Sequence, residues 1–179
     1  MVDVGSRFDT FDNSGAANLL AQLSLKGTTA RPGDTLLQEA NSAGISLQAT
    51  VGRELTSFQA KCLRSNTPLA VTLLADAIQN SALSTEAVAM GKVAALKSIA
   101  ALESNQEQAN MDNLHATAFD GTTLALPVIG SEPTVAQLTG IELKSFKNAH
   151  YTPNRMVVAA AGDITHEELV KVHHRPCSL

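Results

Sequence analysis

The sequence predicts an α+β domain in which helices cover one face of a sheet, and three observations lead there. Segments 45–51 and 55–63 alternate polar and apolar residues, are rich in Ile, Val, Thr and Phe, and flank Gly52-Arg53-Glu54, the pattern of an antiparallel strand pair. Around the pair lie several runs with helix start and stop signals, and one further strand-like apolar run at 156–161. No repeat and no low-complexity tract interrupts them, and 179 residues are one domain's worth of chain, so 1–179 is taken as a single unit.

The elements follow in order. Val2 to Val4 reads as the end of a strand broken by Gly5. Asp12, Asn13 and Ser14 offer caps for a helix over 16–25, with Leu19, Leu20 and Leu23 as its apolar stripe and Gly27 beyond its end. Arg31-Pro32-Gly33-Asp34 opens a helix over 35–43 that Gly44 stops. After the strand pair, Asn66-Thr67-Pro68 starts a helix over 69–79, since proline in the first turn has no amide hydrogen bond to lose. Ser84-Thr85-Glu86 caps a longer helix to about 103, with Val93, Leu96, Ile99 and Leu102 as its stripe. Polar residues 104–113 lead into a helical stretch over 115–119, and 121–133 is loop-like. Short helices over 134–138 and 141–150 are parted by Gly140. The run 156–161 reads as a buried strand, and Thr165 caps a last helix that Pro176 ends.

Composition narrows the function. With 44% hydrophobic and 17% charged residues the chain has a core to bury and is no disordered polyelectrolyte. A net charge of −4, no cluster of Lys and Arg, and 3% aromatics leave neither a phosphate footprint nor stacking platforms, so nucleic acid is not an expected partner. No apolar run approaches the roughly 20 residues of a membrane span. The opening residues resemble neither a signal peptide nor a transit peptide, so the expectation is an untargeted chain or one whose true start lies upstream.

Two cysteines, Cys62 and Cys177, make no metal cluster and no disulfide scaffold, and a reducing compartment is expected. Cys62, at a strand end, reads as a small buried hydrophobe. His115, beside Ala116 and Phe119, reads as a packing histidine. His150, His166, His173 and His174 are dispersed, and the adjacent pair points to different sides of a helix. Ser14, Ser98 and Ser145 lack a nucleophile context such as G-x-S-x-G.

The segment Gly15-Ala-Ala-Asn18-Leu-Leu-Ala21-Gln22, running on to Gly27-Thr28, resembles the zinc-site helix of the mitochondrial processing peptidases and their relatives, the core proteins of ubiquinol–cytochrome c reductase. The flanks agree in order: Gly5-Ser6-Arg7, Arg31-Pro32-Gly33, Arg53-Glu54, the stretch from Leu74 to Asn80, that from Leu114 to Phe119, His150-Tyr151, and that from Val157 to Gly162. The likeness covers nearly the whole chain and is greatest to the β-type and first-core-protein branch. It implies a mixed, largely antiparallel sheet covered by helices, the amino-terminal half of a two-domain subunit, incomplete at both ends.

The resemblance also locates a metal centre whose residues are replaced. Cleaving members carry H-x-x-E-H here, two histidines on one helical face ligating Zn²⁺ and a glutamate activating the metal-bound water. Asn18, Ala21 and Gln22 stand at those positions. The third ligand falls at Ser98, and the acidic residue supporting it at Gly91. Two amides, a methyl and a hydroxyl supply neither a basic nitrogen nor an anionic oxygen, so no catalytic, metal or cofactor residue is assigned. The implied role is a structural core subunit of the cytochrome bc1 complex, on the matrix side of the mitochondrial inner membrane beside a second core or α-type homologue. The alternative is a processing-peptidase subunit that holds presequence peptides. In that case residues 47–50, where active relatives present an edge strand to substrate, would bind by backbone hydrogen bonds alone.

Overall fold

The computed structural model describes residues 1–102 and 105–174, with the side chains of 172–174 outside that set. Cys177 and Pro176, and the side chains of the adjacent histidines His173 and His174, therefore lie outside the described residues.

The strand pair forms as its alternation requires. Strand β1 (Ser46–Val51) pairs antiparallel with β2 (Thr56–Lys61), Val51 opposite Thr56 and Ser46 opposite Lys61. Leu47, Ala49 and Val51 turn toward the core, and Ser46, Gln48 and Thr50 toward solvent. Val2 joins this sheet as an isolated antiparallel bridge to Thr56 on one side and Met156 on the other.

Helix α1 (Ala16–Ser24) is the centre of the core, with Leu19, Leu20, Ala21 and Leu23 all buried. It touches β1 and two later helices, α4 (Thr85–Leu102) and α7 (Gly140–His150). Helices α2 (Thr35–Ser42) and α3 (Thr67–Gln79) contribute Leu36, Ala40 and Leu73 to the same core. The remaining helices are α5 (Gln106–Ala118), α6 (Glu132–Gln137) and α8 (His166–His174). Among the described residues no helix is long and apolar enough to cross a membrane.

Three expectations from the sequence are corrected. The cap of α1 is not Asp12, Asn13 or Ser14. The residue entering the helix is Gly15, at φ 96°, and the Asp9 carboxylate accepts from the Gly15 and Ala17 amides at 2.9 and 3.1 Å. Helix α5 begins at Gln106, inside the polar run, because the Asn105 side chain accepts from the Gln108 amide and the helix buries no residue. The third correction concerns the apolar run at 156–161. Met156 makes only its bridge to Val2, and residues 157–161 are exposed and form no strand. A strand needs a continuous ladder, and among the described residues this run is held by the Val2–Met156 bridge and the hydrogen bonds between Met1 and Val157.

Asp9 carries a consequence for pH. Burial lifts its carboxyl from 3.8 to about 7, against the two amide hydrogen bonds that favour the charged form. A folded pKa above the unfolded one means that the acid's contribution is full below 3.8 and is lost as pH rises through about 7. The wild type is expected to lose about 2–3 kcal/mol between roughly pH 5 and 8 relative to Asp9→Asn. Urea unfolding of both proteins across that range reads the difference.

Candidate functional site

The four positions singled out by the resemblance lie on α1 and α4, which pack against each other. Asn18 and Gln22 are one helical turn apart on one face of α1, and the Gln22 side-chain amide donates to Asn18 Oδ1 at 3.3 Å. One hydrogen bond thus links the two amides. Ala21, on the adjoining part of the helix, is fully buried. Ser98 is exposed on α4, and its hydroxyl donates to the Ala94 carbonyl at 3.1 Å, one turn back in its own helix.

The α1–α4 contact explains the residue at 91. A Cβ built on Gly91 would lie 2.7 Å from Leu23 Cδ2 and 3.2 Å from Leu19 Cδ1. Both leucines are core residues, so the space a supporting side chain would need is occupied by α1 itself. Accordingly the buried residues of α4 are Val88 and Ala95, flanking Gly91, while Val93 of the expected stripe is exposed and Leu96, Ile99 and Leu102 are half-buried. Small residues at 91 and 95 bring the helix axes close, which a stripe of larger ones would prevent. Gly91→Glu is expected to destabilise the chain by about 1–3 kcal/mol through overpacking, measured as a shift in denaturant midpoint at constant m-value.

The donor set does not fit a zinc ion. Two neutral amides joined by one hydrogen bond, a hydroxyl turned onto its own helix and a methyl offer no imidazole nitrogen, thiolate or carboxylate. Among the described residues no three His, Cys, Asp or Glu side chains are grouped so as to hold a metal ion.

What holds α1 and its following loop in place is a polar knot that sequence reasoning did not single out as a unit. Asp76 of α3 is buried and accepts from Thr28 Oγ1 at 2.7 Å, from the Arg31 guanidinium at 2.7 Å and from the Asn80 amide at 2.9 Å. Arg31 also donates to Glu39 of α2 at 2.6 Å, so the loop after α1 is bound to both flanking helices. Burial pushes the Asp76 carboxyl up, and the three hydrogen bonds and the Arg31 charge together outweigh it and hold the pKa below its ordinary value. The Glu39 hydrogen bond raises the Arg31 pKa further. Arg31 and the 74–80 segment were visible in the sequence only as separate flanks.

The other candidates separate. His115 is half-buried on α5, with its ring stacked 5.9 Å from Phe119 and its Nδ1 2.7 Å from the Met111 carbonyl oxygen, so it packs as expected. His150 lies between Phe8 and Phe146, at 5.1 and 4.7 Å between centroids, and burial followed by the Arg155 charge lowers its pKa. His166 is exposed at the start of α8. Ser14 is buried and Ser145 is exposed. Cys62 is half-buried rather than buried, because it follows the end of β2 at the rim of a groove. Residues 47–50 do lie on an edge, since β1 ends the strand order, and β1 packs directly on α1.

Comparison with known proteins places the chain in a family. The family model described as insulinase, peptidase family M16, matches residues 1–132, and that described as peptidase M16 inactive domain matches 137–174. Cytochrome b-c1 complex subunit 1, mitochondrial, of Mus musculus is 38% identical over 177 residues, covering 99% of this chain and 37% of that protein. The probable mitochondrial-processing peptidase subunit beta of Arabidopsis thaliana is 36% identical over 170 residues, covering 95% of this chain and 32% of that protein. The chain thus spans about a third of the length of these relatives. Among solved structures, pitrilysin superposes with a TM-score of 0.84 at 24% identity, over 96% of this chain and 19% of that one. The ferredoxin protease FusC superposes at 0.86 and 22% identity, over 97% of this chain and 20% of that one. The chain has the pitrilysin-like fold and belongs to peptidase family M16.

Proposed function

We propose that this chain serves as a non-catalytic core subunit with a structural role in the mitochondrial cytochrome bc1 complex, on the matrix side of the inner membrane and held against a second core or α-type homologue. The observation that carries the proposal is the donor set at 18, 21, 22 and 98, in which two amides bond to each other where a peptidase of this family needs a metal-polarised water. The 38% identity to cytochrome b-c1 complex subunit 1 of Mus musculus supports the choice of assembly. The test is affinity isolation of the tagged chain from mitochondria under native conditions, followed by mass spectrometry. Recovery with cytochrome b and cytochrome c1 supports the reading, and a purified bc1 complex that lacks the chain overturns it.

A second reading, a processing-peptidase subunit that holds presequences for an active partner, is favoured by the free edge of β1 beside α1. An extended peptide could add to that edge through backbone hydrogen bonds with no metal present. Failure of a presequence peptide to bind the chain together with its α-type partner eliminates this reading.

A further inference from the structure

Helix α7 turns one lysine inward. Lys147 is half-buried, and its Nζ donates to the Gln79 carbonyl at 2.9 Å and to Ser81 Oγ at 2.8 Å. Gln79 ends α3, and Ser81, itself buried, bridges to Thr28, so this one amine ties α7 to the end of α3 and to the loop that follows α1. Among the described residues no Asp or Glu neutralises it, and the charge acting on it is that of Lys144, three residues earlier on the same helix. Burial first, and then that like charge, lowers the Lys147 pKa from its ordinary 10.5.

The same amine lines a cavity of about 430 Å³ whose walls are drawn from residues 78–79 and 147–156. Ile78, Tyr151, Pro153 and Met156 make the lining largely apolar, and Asn148 and Pro153, both exposed, mark its opening to solvent. Gln79 and Ser81 take two of the three N–H bonds of the ammonium. A neutral amine keeps both of those hydrogen bonds. Its lone pair then takes the third tetrahedral direction, which neither acceptor occupies, toward the cavity. Desolvation in an apolar pocket beside a second cation is the setting that turns a lysine into a nucleophile.

We propose that Lys147 is an acylation site that reacts directly with acyl thioesters bearing short uncharged acyl chains. The neutral Nζ attacks the thioester carbonyl carbon. A C–N bond forms, the C–S bond breaks, and the leaving thiolate takes up the proton that the amine sheds, so the products are an amide and a thiol. The acyl chain lies against Ile78, Pro153 and Met156. The amide nitrogen retains one N–H, so it donates to Gln79 or to Ser81 but not to both, and the positive charge is gone. Acylation thereby loosens α7 from the end of α3. The Thr29 amide donates to the Asn80 carbonyl at 3.0 Å and the Ala82 amide to the Gly27 carbonyl at 3.1 Å, so the loosening reaches the loop after α1. The inference uses neither the residues at 18, 21, 22 and 98 nor the assembly proposed above.

The test incubates the full chain with the acetyl thioester of N-acetylcysteamine and follows each lysine by peptide mass spectrometry. In the folded chain Lys147 is expected to acetylate about threefold or more faster than the exposed Lys26, Lys61, Lys97, Lys144 and Lys171, and in urea no faster than they do. Lys144→Gln removes the like charge and is expected to slow the reaction at 147 about twofold or more. Asn148→Trp, an exposed substitution at the opening of the cavity, is expected to slow it about threefold or more without changing the thermal midpoint. Acetylation is expected to speed amide exchange at Thr29 and Ala82 about threefold or more, and the reagent to leave that exchange unchanged in Lys147→Arg. A folded-state rate at 147 equal to or below that of the exposed lysines, or a preference that persists in urea, overturns the proposal. Acetylation at 147 with no change in exchange at Thr29 and Ala82 overturns the coupling to the loop after α1.

Discussion

Replacing Asp76 by alanine is expected to destabilise the chain by about 3–5 kcal/mol, read as the loss of unfolding free energy in urea. The carboxylate is buried and receives three hydrogen bonds, from Thr28, Arg31 and Asn80. Its removal leaves the Thr28 hydroxyl, itself buried, without an acceptor and leaves Arg31 with Glu39 alone. Asp76→Asn keeps the volume and part of the hydrogen bonding but not the charge, and is expected to cost about half as much. The sign with pH follows from the lowered pKa. An acid whose folded pKa is below its unfolded value contributes stability above the unfolded value, and that contribution is lost as pH falls through the folded one. The wild type should therefore lose stability on acidification below its ordinary carboxylate range, and Asp76→Asn should lose less. Asp9 acts in the opposite sense and over a higher range, so the two substitutions separate the acid and neutral limbs of one stability profile.

The second large effect is a gain. The triple variant N18H/Q22H/S98E restores two imidazoles one turn apart on α1 and a carboxylate on the helix packed against it. Structural zinc sites yield about 10–16 kcal/mol, and the missing support at Gly91 is expected to weaken affinity by about 10–100-fold. The variant should accordingly bind zinc with a dissociation constant of about micromolar or tighter, roughly a thousandfold or more above any binding by the wild type. It should still leave peptides uncleaved, because the methyl of Ala21 accepts no proton. Adding Ala21→Glu places a carboxylate where the side chain is fully buried, at an overpacking cost of about 1–3 kcal/mol, so the quadruple variant is expected to be the least stable. Isothermal titration with zinc and a thermal scan of each variant check these statements.

The differences between sequence and structure have a common origin. Local signals placed the strand pair and most helices within a few residues, since alternation, Gly44 and Pro68 each act through their own neighbours. The cap of α1 was missed because its acceptor, Asp9, lies six residues before Gly15 and reaches it only once the intervening turn has closed. The start of α5 was missed because a helix that buries nothing has no apolar period to read. The run 156–161 has strand composition, but a strand is a property of two segments, and the ladder to this run is confined to the contacts of Met156 and Val157 with residues 1–2. At the site, the positions 18, 21, 22 and 98 came from resemblance alone. The reason a side chain at 91 would crowd the core is the approach of Leu19 and Leu23, a contact between helices about 70 residues apart that no local pattern encodes.

Whether the residues at 18, 21, 22 and 98 hold a metal decides between a structural subunit and a peptidase. The most direct measurement is the zinc content, by elemental mass spectrometry, of the wild-type chain isolated in its native assembly after dialysis against a weak chelator. The expected result is no stoichiometric zinc in this chain, with no cleavage of a presequence peptide. One zinc ion per chain, lost together with peptide cleavage on treatment with a strong chelator and abolished by N18A/Q22A, would contradict the account.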